Sequence, residues 1–95
     1  MRTYELTYII HPDVSEDERP ALTRQIEEAI KAGGGQVQKA VDWGRRKLAY
    51  RINDQREGHY IHLLVELEQQ AIPELERSLK FNENVLRYLL VRADD

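Results

Sequence analysis

Residues 2–10 have the sequence RTYELTYII, in which large apolar side chains recur at every second position. Side chains two apart in a strand point to the same face of a sheet. The pattern therefore predicts a strand with one face toward a core and a second, more polar face. The core-facing set is Tyr4, Leu6, Tyr8 and Ile10, and the opposite set is Thr3, Glu5, Thr7 and Ile9.

A helix is predicted to follow this strand. Pro12 ends the strand because proline has no N–H to donate to a ladder, and Ser15 with Glu18 has the spacing of a capping box. The helix should therefore start near Glu16. Glycines at 33–35 should end it, since glycine adopts the left-handed conformation at a helix end without steric cost. The apolar stripe of this helix is Leu22, Ile26, Ala29 and Ile30.

Two strands are predicted after the glycines. Residues 37–52 are predicted to form a long second strand, interrupted by Gly44, where we expect a β-bulge or a change of twist. Residues 53–58 are polar and are predicted to make the turn. Residues 59–67 alternate again and form the third strand.

A second helix and a fourth strand complete the pattern. Pro73 suits a first helical turn, and the apolar spacing predicts a helix over 71–81. Residues 85–92 are predicted to form the fourth strand, with Leu86, Tyr88 and Leu90 on one face and Arg87, Leu89 and Val91 on the other. The order β-α-β-β-α-β indicates an α+β, ferredoxin-like two-layer sandwich, with two helices on one face of a four-stranded antiparallel sheet.

We expect a single domain over residues 1–95 with one uncovered sheet face, and we expect Asp94 and Asp95 to fray. The uncovered face should carry Thr3, Glu5, Thr7, Tyr60, His62, Leu64, Arg87, Leu89 and Val91.

Composition narrows the function classes. The longest apolar run falls far short of the roughly 20 residues that a membrane span needs, and the N-terminal residues lack the pattern of a signal peptide. We therefore expect a cytoplasmic protein. The absence of cysteine excludes disulfides, thiolate metal sites and cysteine nucleophiles.

Charge is concentrated in the middle of the chain. The formal net charge is -3, yet Lys and Arg exceed Asp and Glu by three over residues 34–60. Four cations lie within residues 45–51, three of them between Trp43 and Tyr50 and the fourth directly after Tyr50, and Arg56 follows. Cations contact phosphates, and arginine and aromatic planes stack on unpaired RNA bases. A solvated basic strand with Trp43 and Tyr50 as packing residues is the alternative, which composition leaves open.

Catalytic and metal-binding arrangements are not indicated. His59 and His62 are three apart on a strand and therefore point to opposite faces, so they cannot hold one ion. The glycines at 33–35 follow a helix and lack the lysine of a phosphate loop. The loop at 11–15 contains neither arginine nor glycine, unlike that of acylphosphatases, which share the fold pattern. We expect no enzyme activity, no metal site, no cofactor and no small-molecule substrate.

Several motifs together resemble the bacterial small-subunit ribosomal protein six family (bS6). They are Met1-Arg2-x-Tyr4-Glu5, Gly34-Gly35, Trp43-Gly44-Arg45-Arg46-x-Leu48-Ala49-Tyr50-x-Ile52, Gly58-x-Tyr60 and Phe81-Asn82-x-x-Val85-x-Arg87. The resemblance implies the same β-α-β-β-α-β fold. It also implies a structural protein of the small subunit that binds the central domain of 16S ribosomal RNA together with ribosomal protein eighteen (bS18) and aids assembly.

The resemblance carries RNA or partner contact to matching positions, to which neighbouring cations are added. The full set is Arg2, Tyr4, Arg45, Arg46, Lys47, Tyr50, Arg56, Tyr60, Arg87 and Arg92. Arginines would neutralise phosphates, and tyrosines would stack on bases or pack against the partner. For Tyr4 a core role is an equal alternative, and Trp43 is expected to be structural, covering the bulge. Two departures from the family are Arg51, where many relatives are expected to have proline, and the lack of a long tail after Asp95.

A second hypothesis comes from another class of protein. The chain would be a regulatory or self-associating ferredoxin-like domain that pairs through its uncovered sheet face. Leu64, Leu89 and Val91 on that face are the feature that supports it.

Overall fold

The computed structural model describes residues 1–93, and the expected fraying of Asp94 and Asp95 lies outside the described residues. Its elements are β1 Arg2–Ile10, α1 Arg19–Ala32, β2 Gln36–Ile52, β3 Gln55–Leu67, a 3-10 turn Gln69–Ala71, α2 Ile72–Lys80 and β4 Val85–Arg92. The strands form one antiparallel sheet in the order β2-β3-β1-β4. The predicted ferredoxin-like fold is confirmed.

The core lies between the sheet and the two helices. It contains the predicted stripe of β1 and, from α1 and α2, the buried residues Leu22, Ile26, Ile30, Leu75 and Leu79. Burial of these side chains is the main stabilising term, on the order of 1.5–3 kcal/mol for each large residue. Neither helix within residues 1–93 combines the length and apolarity that would let it span a membrane.

The other face of the sheet carries the residues predicted for it. Thr7 pairs with His62 and with Leu89, and Glu5 pairs with Leu64 and with Val91. Residues that pair directly share a face, so these side chains all lie on the face opposite the helices. We call it the open face.

The start of α1 differs from the prediction. The capping box forms, since Ser15 Oγ accepts from the Glu18 N–H at 3.2 Å and Glu18 Oε1 accepts from the Ser15 N–H at 3.3 Å. However, the helix begins at Arg19 and not near Glu16. Pro20 has no N–H for the carbonyl of Glu16, so residues 16–18 form turns.

The predicted turn over 53–58 is wrong. β3 begins at Gln55, and the turn consists of Asn53 and Asp54, which have φ angles of 50° and 65°. Two consecutive positive φ values are typical of a two-residue hairpin turn, and Asn and Asp tolerate that conformation better than other non-glycine residues. The strand therefore extends several residues further than polarity indicated.

The predicted orientation of Leu86 is also wrong. The register between β1 and β4 shifts, so that Ile9 pairs with Arg87 while Ile10 pairs with Val85. Leu86 is the extra residue of this bulge. Val85 consequently joins the core, and a Cβ placed on Gly58 would lie 3.5 Å from Leu86 Cδ1.

One polar group in the core is unpaired. Tyr8 is fully buried, and its hydroxyl has no hydrogen-bond partner among residues 1–93. Burial raises the pKa of Tyr8 above its ordinary value, and the nearby charges of Glu27 and Asp42 add to this effect. The hydroxyl is therefore held in its neutral form without a partner for its proton.

We expect Tyr8→Phe to raise the free energy of unfolding at neutral pH by about 1 kcal/mol, because a buried hydroxyl without a partner carries a desolvation cost. At alkaline pH, the unfolded tyrosine ionises above about pH 10 while the buried one stays neutral, so the stability of the unaltered protein falls as pH rises. The Tyr8→Phe variant should lose less stability over the same rise in pH, because it has no hydroxyl at position 8. Urea unfolding at neutral pH and at alkaline pH measures both effects, with Tyr60→Phe as the control.

Destabilisation by Tyr8→Phe at neutral pH would contradict the prediction. It would mean that the hydroxyl has a stabilising partner.

Candidate nucleic-acid interface

The long strands β2 and β3 continue past the sheet as a two-stranded hairpin. His59 pairs with Ile10, the last residue of β1, and with Arg45 on β2. Residues 45–58 therefore project beyond β1, and we call them the basic hairpin. They contain the cations Arg45, Arg46, Lys47, Arg51 and Arg56, against the anions Asp54 and Glu57.

A bulge at Gly44 precedes the basic hairpin, as predicted. Asp42 pairs with Ile61 and Gly44 with Tyr60, so β2 has one residue more than β3 at this point. Gly44 has a φ of 79°, the left-handed conformation that favours glycine. Asp42 Oδ1 accepts from the Gly44 N–H at 2.8 Å and lies 2.6 Å from His59 Nε2. The aspartate thus holds the bulge in shape.

The bulge places Trp43 on the open face, where it stacks on His62. The ring centroids are 5.0 Å apart and the ring planes differ by 6°. Two side chains of β1 on the same face contact the His62 ring. Its Nδ1 lies 3.0 Å from Thr7 Oγ1 and its Nε2 lies 3.3 Å from Glu5 Oε1. The guanidinium carbon of Arg46 lies 5.4 Å from the Trp43 ring centroid, a cation–π distance. Arg46 is therefore directed over the open face.

Arg45 points the other way, because successive side chains of a strand alternate between faces. Its Nη1 forms an ion pair with Glu57 Oε1 at 2.7 Å, and its Nη2 donates to the Pro12 carbonyl at 2.9 Å. Arg45 thus ties the hairpin to the loop between β1 and α1. The side chains of the neighbouring residues Arg45 and Arg46 therefore lie on opposite faces of the hairpin.

Three hairpin cations are exposed and unpaired within the described part of the chain. The side chains of Lys47, Arg51 and Arg56 form no ion pair, hydrogen bond or ring contact with another of residues 1–93. All three line a shallow concavity between the hairpin and residues Pro12 and Asp13. Because none of these three side chains forms an ion pair with a carboxylate of residues 1–93, they are available to contact an anionic partner.

Tyr50 and Arg87 contact each other across the gap between the hairpin and β4. Arg87 Nη1 donates to the Tyr50 hydroxyl, and the guanidinium carbon lies 5.4 Å from the ring centroid. Two residues predicted as separate contacts are thus joined in one interaction.

Comparison with known proteins identifies the family. The family model described as ribosomal protein S6 matches residues 3–92. The chain belongs to the ribosomal protein S6 family. It is 48% identical over 92 residues to the small ribosomal subunit protein bS6 of Variovorax paradoxus (strain S110), which covers 97% of this chain and 73% of the relative. The crystal structure of 30S ribosomal protein S6 from Thermotoga maritima superimposes with a TM-score of 0.92 at 31% identity, over 97% of this chain and 87% of that one.

Membership confirms several predictions made from the motifs. As a member of the S6 family, the chain is a protein of the small ribosomal subunit and is therefore cytoplasmic. The family consists of ribosomal structural proteins, which agrees with the prediction of a protein without enzyme activity.

The structure groups six of the ten predicted contact residues at the hairpin end of this S6 family member. They are Arg45, Arg46, Lys47, Tyr50, Arg56 and Arg87. Tyr60 lies beside them on the open face, opposite Gly44.

The other three predicted residues lie elsewhere. Tyr4 is 6% exposed and belongs to the core, so the packing alternative describes it. Arg2 begins β1, and Arg92 pairs with Tyr4, so both lie at the far end of the sheet. At about 3.3 Å per residue, that end is about 26 Å from Ile10. One compact surface cannot contain all ten.

Sequence reasoning missed three residues of the interface. Arg51 was noted only as a departure from the family, although it lines the same concavity as Lys47 and Arg56. Asp42 accepts from the Gly44 N–H within β2 and contacts His59 on β3, and His62 on β3 stacks on Trp43. Those contacts depend on the register set by the bulge, for which a single sequence carries no direct signal.

The shape of this interface should depend on Gly44. Gly44→Ala places a side chain at a φ of 79° with no atom within 4 Å of its Cβ, so the cost is conformational, about 1–2 kcal/mol. We expect the emission of Trp43, the single tryptophan, to shift because its stack on His62 is disturbed.

Gly34→Ala is the matched control for Gly44→Ala. Gly34 also has a positive φ, 86°, and open space around its Cβ, but it lies at the end of α1. It should lose similar stability in urea unfolding and leave the tryptophan emission unchanged. Equal emission changes in both variants would contradict a specific role for the bulge.

Proposed function

We propose that the chain binds the central domain of 16S ribosomal RNA together with ribosomal protein eighteen and aids assembly of the small subunit. The observation that carries the proposal is the set of exposed, unpaired cations Lys47, Arg51 and Arg56 on a projecting hairpin. Membership in the S6 family supports an RNA partner.

The charge distribution favours binding through the basic hairpin. The chain has a net charge of -3, so it repels RNA as a whole. RNA affinity grows with the number of phosphates neutralised by Lys and Arg, and release of counterions makes it salt-dependent. A projecting hairpin with five cations and two anions brings positive charge to the phosphates, although the chain as a whole is acidic.

The predicted contact residues have different parts in this proposal. Lys47 and Arg56 neutralise phosphates, and Arg51 joins them. Arg46, directed by the Trp43 ring, presents a guanidinium plane that suits an unpaired base or a phosphate. Tyr60 offers a ring beside it. Arg2 and Arg92 belong to a separate, smaller contact at the far end of the sheet.

At its β4 edge, the open face is better suited to contact with a protein than to contact with RNA. Leu89 is 62% exposed and Val91 is 42% exposed, and half-buried Leu64 lies on the same face. Neighbouring exposed apolar side chains mark protein contacts in soluble proteins. We assign this region to ribosomal protein eighteen. The partner would add its own RNA contacts, which reconciles an acidic chain with RNA binding.

Replacing the three unpaired cations tests the RNA contact. Lys47→Ala, Arg51→Ala and Arg56→Ala together should weaken binding to a central-domain RNA fragment. They should also flatten the slope of log affinity against log salt by about 0.7–0.9 for each lost phosphate contact. Arg24→Ala, Lys31→Ala and Arg77→Ala, on exposed helix positions, remove the same charge and are the control. Equal losses in both triple variants would mean that only net charge matters.

Titration with and without ribosomal protein eighteen tests the partner. We expect tight RNA binding only in its presence, measured at two salt concentrations. Leu89→Ser should remove this gain, so that its affinity and salt slope in the presence of the partner equal those measured without it. A concentration-independent homodimer in light scattering, with no RNA affinity in either titration, would favour the self-associating domain instead.

A further inference from the structure

We propose that Arg87 and Tyr50 form a clasp that positions the basic hairpin for RNA, and that they serve the interface through each other and not as separate RNA contacts. The effect of the clasp on RNA binding rests on the function proposed above. The contact between Arg87 and Tyr50 is a property of the free protein and does not depend on that function.

The outer part of the hairpin is poorly held by its own ladder. Lys47 pairs with Glu57 and Ile52 pairs with Gln55, so residues 48–51 on β2 face Arg56 alone on β3. Strand residues without ladder partners lose cross-strand hydrogen bonds, and an isolated two-stranded hairpin is marginally stable in water. This segment therefore needs a contact from outside the hairpin.

Tyr50, in the middle of that segment, supplies such a contact. Its side chain is 58% exposed, so burial does not fix the ring. Arg87 does so by lying over the ring and donating to the hydroxyl. Arg87 itself is on β4 and pairs in register with Ile9 of β1. The clasp thus joins an irregular segment to a strand of the sheet.

The root of the hairpin is fixed separately. Gly58 lies so close to β1 that a Cβ there would clash with Ile9 Cγ2 and would be 3.2 Å from the Ile10 carbonyl oxygen. On the other side, Arg45 bonds to Glu57 and to the Pro12 carbonyl. Both contacts are at the root, whereas Tyr50 lies further out. The clasp therefore controls the direction of the outer segment.

The placement of the unpaired cations follows from the clasp. Arg51 is adjacent to Tyr50, and Arg56 faces the same irregular segment from β3. Holding Tyr50 against β4 limits the positions that these guanidinium groups can adopt. Ordering them before binding reduces the entropy lost on binding. The guanidinium of Arg87 is already engaged by a ring and a hydroxyl, so it is a positioning group.

Amide hydrogen exchange in the free protein tests the clasp directly. Arg87→Ala and Tyr50→Ala should each accelerate exchange over residues 48–57 by about two- to fivefold, the range that an exposed cation–π contact supports. The double variant should exchange no faster than the faster single variant, because either change removes the same contact. Arg77→Ala on α2 is the control and should change nothing. Unchanged exchange in the hairpin for both single variants would overturn the proposal.

RNA titration distinguishes positioning from phosphate contact. Arg87→Ala and Tyr50→Ala should weaken binding by similar factors, two- to fivefold, and leave the salt slope unchanged. A flatter slope for Arg87→Ala, by about 0.7–0.9, together with a neutral Tyr50→Ala, would assign Arg87 to a phosphate and overturn its positioning role. These titrations contain ribosomal protein eighteen. If the unaltered protein bound no RNA in its presence, the proposed function would fail, while hydrogen exchange would still decide whether the clasp exists.

Discussion

The left-handed backbone of Gly44 sets the faces on which the side chains of Arg45 and Arg46 lie. A strand shifted by one residue turns each side chain to the other face, and the extra residue at Gly44 makes that shift within a single strand. Asp42 holds the bulge through the Gly44 N–H. As a result Trp43 lies on the open face beside His62, and of the next two arginines Arg46 lies over the open face while Arg45 points to the Pro12 carbonyl. The positions of these three side chains in the proposed interface depend on the bulge.

The arginines of the interface divide into two kinds by their partners. Arg45 and Arg87 are bonded to groups of this chain, namely Glu57, the Pro12 carbonyl and Tyr50. Exposed ion pairs and cation–π contacts contribute only about 0.5–1 kcal/mol each, which is little beside the core but enough to orient a hairpin. Arg51 and Arg56, with Lys47, keep their charge for a partner. Within this one interface, some arginines thus hold the hairpin in place and others are available to contact a partner.

Sequence periodicity predicted the elements whose faces differ in polarity. The bounds of β1 and β4 were correct, because alternation is a local property. The predicted hydrogen bonds between Ser15 and Glu18 also form, but they lie before the first residue of α1, Arg19. The turn at Asn53 and the orientation of Leu86 were wrong, because both depend on backbone conformation and register, not on polarity. For the same reason the pattern of cations located the basic hairpin but did not separate Arg45 from Arg46. It also gave no sign that Tyr50 and Arg87, 37 residues apart, contact each other.

The two faces of the sheet explain how a small chain can keep a stable core and a large surface for partners. The helices cover one face and bury nearly all the large apolar residues there. The open face needs no such cover at its centre, because Glu5, Thr7 and His62 satisfy one another's polar groups. At the hairpin end of the open face, Ile9 is 9% exposed, and Gly58 lies against the Ile9 side chain. A side chain at position 58 would push the hairpin away from the sheet, so the absence of a Cβ there brings the cations and the clasp within reach of β4.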